Sequence, residues 1–333
     1  MGTRPQALIL RLLLPLLLLV LGSGAGGAVA GEPFAVNALE YPWSAIGRLN
    51  VGGRGHCTGV LVGERHVLTA AHCLYDKRQK RWFRPDELHF VAGYQGSTFP
   101  FHARVKGATH ADDYGSQARP VADNDWGLLE LAAPIGRGAG WLGVLPLSAA
   151  TLPTLRRPEV AIVRAGYRAN RAYVLTIDQG CELRGFFQNS RLFIHGCAPV
   201  QGDSGGPVLA FVDGAVQVIG VTTLLLSRSG ALSGAAISTS VLTQGQEWPV
   251  AAAEIKAEGF TPAPFGNAPP PGGAAASTPG MTIARLLRIS IGDSSKNGNR
   301  ALSSAIEAVE HAHGLPITGA PSLGVLGVLL RGR

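Results

Sequence analysis

Between Pro42 and about Val241 the apolar residues fall in short runs rather than long stripes. Val60-Leu61-Val62, Leu88 to Val91, Val160 to Val163, Val208 to Val212 and Val216 to Val221 are each bounded by Gly, Pro, Asn or Asp. Runs this short, rich in Val and lacking a sustained 3.6-residue period, predict strands joined by turns: an all-β body, barrel or sandwich. Gln244 to Glu258 is the best helix candidate near its end. The pattern then changes. Thr261 to Gly280 carries Pro262, Pro264, Pro269, Pro270, Pro271 and Pro279 among Gly, Ala and Ser, a composition that buries too little to fold and reads as a linker. Helical spacing returns over Thr282 to Ile289, Ala301 to His313 and Ser322 to Leu330. Ala305, Ile306 and Val309 share one face of the middle segment, and Gly314 follows it as a C-cap would. These signals predict a separate, small C-terminal module of three helices. The expected division is 1–30, 31–258, 259–280 and 281–333.

Composition sharpens this picture at a few points. At 333 residues with 46% hydrophobic content, the chain can bury one sizeable core, and its 45 Gly and 22 Pro suit a turn-rich β protein. Arg4 and Arg11 flank the start of an apolar run, Leu12 to Leu21, interrupted by Pro15; small residues follow, ending Ala28-Val29-Ala30. A basic start, a short apolar run and an A-x-A end predict a cleavable secretory signal over residues 1–30. The run is shorter than the ~20 residues that span a bilayer, so the expected product is secreted or held in the periplasm or cell envelope, with no integral membrane segment after signal removal.

Export permits disulfides. The four cysteines fall into two local pairs, Cys57 with Cys73 and Cys181 with Cys197, and neither has a C-x-x-C spacing. A zinc site would need all four or added histidines, so two disulfides are expected and no metal. The net charge of +7 includes the cluster Lys77, Arg78, Lys80, Arg81 and Arg84, read as a solvated basic loop. No nucleic-acid-binding motif accompanies the charge, and no nucleic-acid partner is expected.

Three stretches carry candidate chemistry: Leu68-Thr69-Ala70-Ala71-His72-Cys73, Asp123-Asn124-Asp125-Trp126-Gly127-Leu128-Leu129 and Gln201-Gly202-Asp203-Ser204-Gly205-Gly206-Pro207. Singly, each could be an ordinary turn or a structural histidine. Together they supply a hydroxyl nucleophile, an imidazole base and a carboxylate to orient it, the set that acyl transfer to serine needs.

In this order the three resemble the motifs of chymotrypsin-like (trypsin-like) serine peptidases, T-A-A-H-C, D-[IV]-A-L-L and G-D-S-G-G-P. The match is complete at His72 and Ser204 and looser at Asp125, where Trp126-Gly127 replaces an apolar-Ala pair. The resemblance covers about Pro42 to Val241. It implies two packed antiparallel six-stranded β-barrels, a His72–Asp125–Ser204 triad, an oxyanion hole from the Gly202 and Ser204 N–H groups, a protein or peptide substrate and no cofactor. Cys57 and Cys73 match the disulfide bracketing the histidine, whereas Val200 stands where animal enzymes often have a Cys before the nucleophile. The Cys181–Cys197 arrangement and Pro42-Trp43-Ser44-Ala45-Ile46-Gly47 are similar to the bacterial glutamyl-endopeptidase-like branch. Asp203 would pair with a new N-terminal ammonium after processing, or hold local N–H groups; no Ile-Val-Gly-Gly lies within residues 30–42.

By the same resemblance Ala198 stands at the base of the substrate pocket, and Thr222, Thr223 and Leu225 form its wall. Without a carboxylate at Ala198 or a histidine at Thr222, neither a basic nor an acidic guest is favoured. Leu225, where Gly is common, would shorten the pocket for a small or medium apolar side chain. Leu302 to Gly319 looks like the peptidoglycan-binding-domain-1 pattern, with Val309-Glu310 in place of its Phe-Gln, which implies a cell-wall ligand for residues 281–333; a small helical cap is the alternative. The function expected is a secreted serine endopeptidase. Its rivals are a catalytically silent binding protein on the same fold and an esterase using the same triad.

Overall fold

The computed structural model describes residues 32–111, 114, 122–243, 278–289 and 296–331. The signal segment, the helix candidate at 244–258 and nearly all of the linker lie outside the described residues. Six strands close into a barrel: β1 (Ile46–Val51), β2 (His56–Leu61), β3 (His66–Thr69), β4 (Leu88–Ala92), β5 (Phe101–His110) and β6 (Gly127–Leu131), in the order β1-β2-β3-β6-β5-β4. Period-two burial forces this closure. In β1, the alternate positions Gly47, Leu49 and Val51 are buried while Arg48 and Asn50 between them are only half-buried, so one face turns to the interior and closure removes the exposed edges.

The later strands are β7 (Ala161–Gly166), β8 (Thr176–Gln179), β9 (Leu183–Phe187), β10 (Leu192–His195), β11 (Pro207–Val212), β12 (Ala215–Arg228) and β13 (Ala231–Ser238). They form a nine-stranded sheet rather than a second closed six-stranded barrel. Its path runs β8-β7-β11-β12-β13-β10-β9, with Phe34–Ala35 added beyond β8 and Gly143–Val144 paired in parallel with β12. Those two short additions extend the sheet at positions a bare six-strand closure would not have. Both faces of the central strands are buried, which is why Val208 to Val212 reads as an unbroken apolar run.

The C-terminal helices are α1 (Gly280–Leu286), α2 (Lys296–Ala312) and α3 (Leu323–Leu329). They lie where the helical spacing predicts them, with α2 starting earlier, at Lys296. They are packed against the β body rather than standing apart from it. Ile283, Ala284, Leu302, Ile306, Val325, Leu326 and Leu330 belong to the same buried cluster as Trp43, Val163 and Phe211. Trp43 and Phe211 meet at 6.1 Å between ring centres, and Gly327 of α3 lies over Phe211. Glu40, 3% exposed, seals the junction: its carboxylate accepts from Met281 N–H at 2.6 Å, Thr282 N–H at 3.1 Å and the Thr282 hydroxyl at 2.9 Å. Glu310, also buried, accepts from Thr318 N–H, the Thr318 hydroxyl and Gly319 N–H at 2.7, 2.6 and 2.9 Å. It holds the Thr318-Gly319 turn that the C-terminal motif singled out.

No helix among the described residues is long and apolar enough to cross a membrane. Both expected disulfides are present, Cys57–Cys73 and Cys181–Cys197.

Candidate active site

His72 occupies a single 3-10 turn, Ala71–Cys73, that follows β3 directly. The turn is pinned from below by the disulfide at Cys73 and from the side by Asp125. The His72 backbone N–H donates to Asp125 Oδ1 at 2.8 Å, and His72 Nδ1 lies 2.7 Å from Asp125 Oδ2. One carboxylate therefore fixes both the main chain and the ring of His72. A carboxylate only accepts, so Nδ1 carries the proton and Nε2 is left with its lone pair directed away from Asp125. Asp125 is 3% exposed, which keeps water from competing for it.

The departure from the aspartate motif has a packing reason. Trp126 is buried beneath the site, and a Cβ at Gly127 would come within 2.5 Å of Leu74 Cδ1. A residue larger than glycine there would push against the segment that carries His72.

Ser204 lies on the Gln201–Pro207 loop, which reaches the segment that carries His72. Its carbonyl accepts from Thr58 N–H at 2.8 Å and lies 3.8 Å from Cys73 Sγ, next in sequence to His72. The loop is held to β12 by Gly205 N–H to the Thr222 carbonyl and Thr222 N–H to the Gly206 carbonyl, each at 2.8 Å. Gly202 has φ +95°, and a Cβ there would sit 2.3 Å from the Tyr167 carbonyl. Only glycine satisfies both the backbone angle and the space.

Asp203 turns away from this surface into the interior, fully buried. Its Oδ2 accepts from Val200 N–H at 2.9 Å, lies 2.6 Å from Arg164 Nη1 and 3.6 Å from Arg168 Nε. The two arginines also share Asp178: Arg164 Nη2 bonds Asp178 Oδ2, and Arg168 Nη2 lies 2.6 Å from both of its oxygens. The buried carboxylate is thus neutralised within the body and also holds a local N–H. Of the two sequence readings of Asp203, the local one matches this geometry, with two cations it did not foresee.

The expected pocket residues are Ala198, half-buried; Thr222, buried; Thr223, buried with its hydroxyl on the Ala235 carbonyl at 3.3 Å; and Leu225, 52% exposed. A register shift between Thr222 and Leu224 accommodates the consecutive buried threonines. Leu225 pairs with Gly234 across β13, and Gly234 pairs with His195 on β10. His195 was not foreseen. It is fully buried, and burial with Arg164 and Arg184 nearby pushes its pKa down to about 3. Thr58, Arg164 and Arg168 also escaped sequence reasoning. For Arg164 the one signal is a charged residue inside an apolar run, Ala161-Ile162-Val163-Arg164-Ala165; Arg168, in the loop after that strand, has none.

Cys57, His72 and Cys73 cluster tightly enough to suggest a metal, but the disulfide consumes both thiolates. The basic loop is internally paired in part: Arg81 binds Glu87 through two bonds at 2.7 and 2.8 Å, and Arg84 binds Asp86.

A closed six-stranded barrel against a second sheet, with an imidazole–carboxylate pair from the first facing a G-D-S-G-G loop from the second, defines the chymotrypsin-like class. The trypsin family model matches residues 31–243, and the chain belongs to that family. It is 31% identical to mouse kallikrein-8 over 235 residues, covering 61% of this chain and 82% of kallikrein-8. Identity to the glutamyl endopeptidase of Bacillus licheniformis is 30% over 107 residues, 32% of each chain, and to human serine protease 23 it is 30% over 168 residues, 43% of this chain and 39% of that one. The chain thus spans about a third of the first of these two relatives and about two fifths of the second. A solved structure of a Glu endopeptidase in complex with MPD superposes with a TM-score of 0.51 at 18% identity, over 68% of this chain and 96% of that one; it shows the same fold.

Proposed function

We propose that the protein is an exported serine endopeptidase that cleaves peptide bonds through an acyl-enzyme. The observation that carries this is the double grip of Asp125 on His72, through Nδ1 and through the backbone N–H. That grip serves a group that must accept a proton at Nε2. The Ser204 hydroxyl attacks the scissile carbonyl while His72 Nε2 takes its proton; the electron pair of the C=O bond moves to oxygen. The Gly202 and Ser204 N–H groups stabilise that oxyanion. His72 then returns the proton to the leaving amine, and a water repeats the sequence to free the enzyme. Asp125 stabilises the imidazolium throughout.

The two disulfides support maturation outside the reducing cytosol, in keeping with a cleaved signal over residues 1–30. The pocket between Ala198, Thr222, Thr223 and Leu225 carries no charged wall residue of its own and suits an uncharged P1 side chain. Residues 281–333 serve as an anchor to the cell wall. Supporting this, a cleft of about 790 Å³ lies between these helices and the β11–β12 turn, lined in part by Leu315, Thr318, Ser322 and Arg157.

The test is Ser204→Ala. Loss of a triad member costs ~10⁴ or more in turnover, with the melting temperature unchanged, and a fluorophosphonate probe should label the native protein but not the variant. Undiminished peptide cleavage by Ser204→Ala defeats this reading. Cleavage of esters but no peptide in a library screen supports the esterase instead. For the anchor, purified sacculi should pull down the native chain but not one with substitutions lining the cleft; equal sedimentation removes that role.

A further inference from the structure

Thr58 follows Cys57 in β2 of the closed barrel, whereas Ser204 precedes β11 of the second sheet; Thr58 is fully buried. It grips the nucleophile loop at two points. Its backbone N–H donates to the Ser204 carbonyl, and its hydroxyl donates to the Gly202 carbonyl, each at 2.8 Å. The same hydroxyl accepts from Tyr167 N–H at 2.9 Å, and the Thr58 carbonyl in turn accepts from the Thr69 hydroxyl at 2.8 Å. Only a hydroxyl can accept from one backbone group and donate to another at a single atom in so small a volume.

The other side of Gly202 is also tethered. Ala169 N–H donates to the Gln201 carbonyl at 2.7 Å, and Asp203 N–H donates to the Val200 carbonyl at 3.1 Å. Both peptide planes that meet at the Gly202 Cα are therefore held. In a trans peptide the C=O and N–H point in opposite directions. With the Gln201 carbonyl drawn to Ala169, the Gly202 N–H is turned the other way. Glycine at φ +95° has little intrinsic preference between the two orientations of that plane, so the tethers decide it.

We infer that Thr58 is a positioning residue for the reaction: its hydroxyl, with Ala169 N–H on the far side, sets the direction of the Gly202 N–H that receives the oxyanion. This rests on the reading of Gly202 as the oxyanion donor and of Ser204 as the nucleophile. It also ties the two halves of the site together. Thr58 belongs to the barrel that carries His72 and Asp125, and through it that barrel sets the loop that carries Ser204.

The experiment compares Thr58→Val, Thr58→Ser and Ala169→Pro with the native enzyme, using a peptide substrate, a peptide aldehyde and the matching peptide alcohol. The aldehyde adds to Ser204 and forms an oxyanion; the alcohol fills the same subsites without one. Removing an oxyanion donor costs ~10²–10³ in kcat, and misdirecting one costs less. Thr58→Val should lower kcat by about 10–100-fold with KM changed less than about 3-fold, and weaken the aldehyde by that factor relative to the alcohol. Thr58→Ser should recover most of the loss. Equal weakening of aldehyde and alcohol, or an unchanged kcat, overturns the inference.

If Thr58→Val does not fold, Ala169→Pro carries the test. Ala169 is the first residue of a 3-10 turn and exposed, and Arg168 before it is extended at φ −67°, ψ 140°, backbone angles compatible with proline, although its ring would crowd the Gln201 carbonyl now 2.7 Å from Ala169 N and push it aside. The substitution deletes the N–H that holds Gln201 and should shift the aldehyde-to-alcohol ratio the same way; an unchanged ratio refutes the tether. In Ser204→Ala the aldehyde should lose its advantage altogether. An advantage retained there would overturn the serine reading itself, not the positioning.

Discussion

Arg164 and Asp203 meet inside the protein as a fully buried ion pair, Nη1 to Oδ2 at 2.6 Å, with Arg168 and Asp178 completing the cluster. Breaking one side of such a pair leaves an uncompensated charge and costs about 3–5 kcal/mol. Arg164→Met should therefore lower the melting temperature sharply and disorder the Ser204 loop, with activity falling alongside. Arg164→Met combined with Asp203→Asn should recover part of the stability. A mild Arg164→Met would show that the pair contributes little.

Because Asp203 already has internal cations, the active loop should not need a free amino terminus near residue 32. Chains with one or two residues added there should cleave peptides as fast as the unextended form. A rate that depends on a free terminal amine would show that the arginines do not suffice.

Asp125→Asn should lower kcat by roughly 10⁴, because an amide can present its N–H to His72 and favour the wrong tautomer. Asp123→Asn should leave kcat nearly unchanged. The Asp123 carboxylate Oδ2 lies 4.0 Å from Arg191 Nε, whereas both contacts to His72 come from Asp125. The reverse pattern would mean that the acid within Asp123-Asn124-Asp125 is misassigned.

His195 gives a pH signature. Its folded pKa, about 3, lies below the ~6.5 of an unfolded histidine. The unfolded chain therefore binds a proton first as pH falls, and stability is lost from about pH 6.5 down towards pH 3. His195→Gln should flatten the dependence of melting temperature on pH between 4 and 6.5. An equal slope in both proteins would show that other groups set it.

Removing residues 278–333 should destabilise the β body even though the linker suggests independence. The cut uncovers Trp43 and Phe211 and strands the Glu40 carboxylate, whose three donors all come from Met281 and Thr282. A truncated protein with native melting temperature and turnover would restore the picture of a detached module.

The strands and the three chemical motifs were legible because short Val-rich runs and turn residues are local signals, as are T-A-A-H-C and G-D-S-G-G-P. The features that were not legible depend on partners distant in sequence. Arg164 looked like an intrusion in an apolar strand until Asp178 and Asp203 surrounded it. Thr58 looked ordinary between Cys57 and Gly59, since its role comes from Gly202 and Tyr167, more than a hundred positions away. The docking of the C-terminal helices was not legible because the Pro-rich composition before them predicts a linker and says nothing of the apolar faces of the helices beyond it. The edges of the second sheet depend on the two-residue strands Phe34–Ala35 and Gly143–Val144, too short to show any period.

The link from Glu40 to Met281 and Thr282 also has a consequence in time. Translation delivers a chain from its amino end, so Glu40 emerges about 240 residues before its partners. Until then its neighbours Trp43 and Phe211 lack part of their cover. A nascent chain halted near residue 260 should remain sensitive to added protease at sites that the chain carrying residues 278–331 protects, and release of that segment should close them. The helices of residues 280–329 would then act as a checkpoint on maturation, completing the cover of the β body only once they have been made.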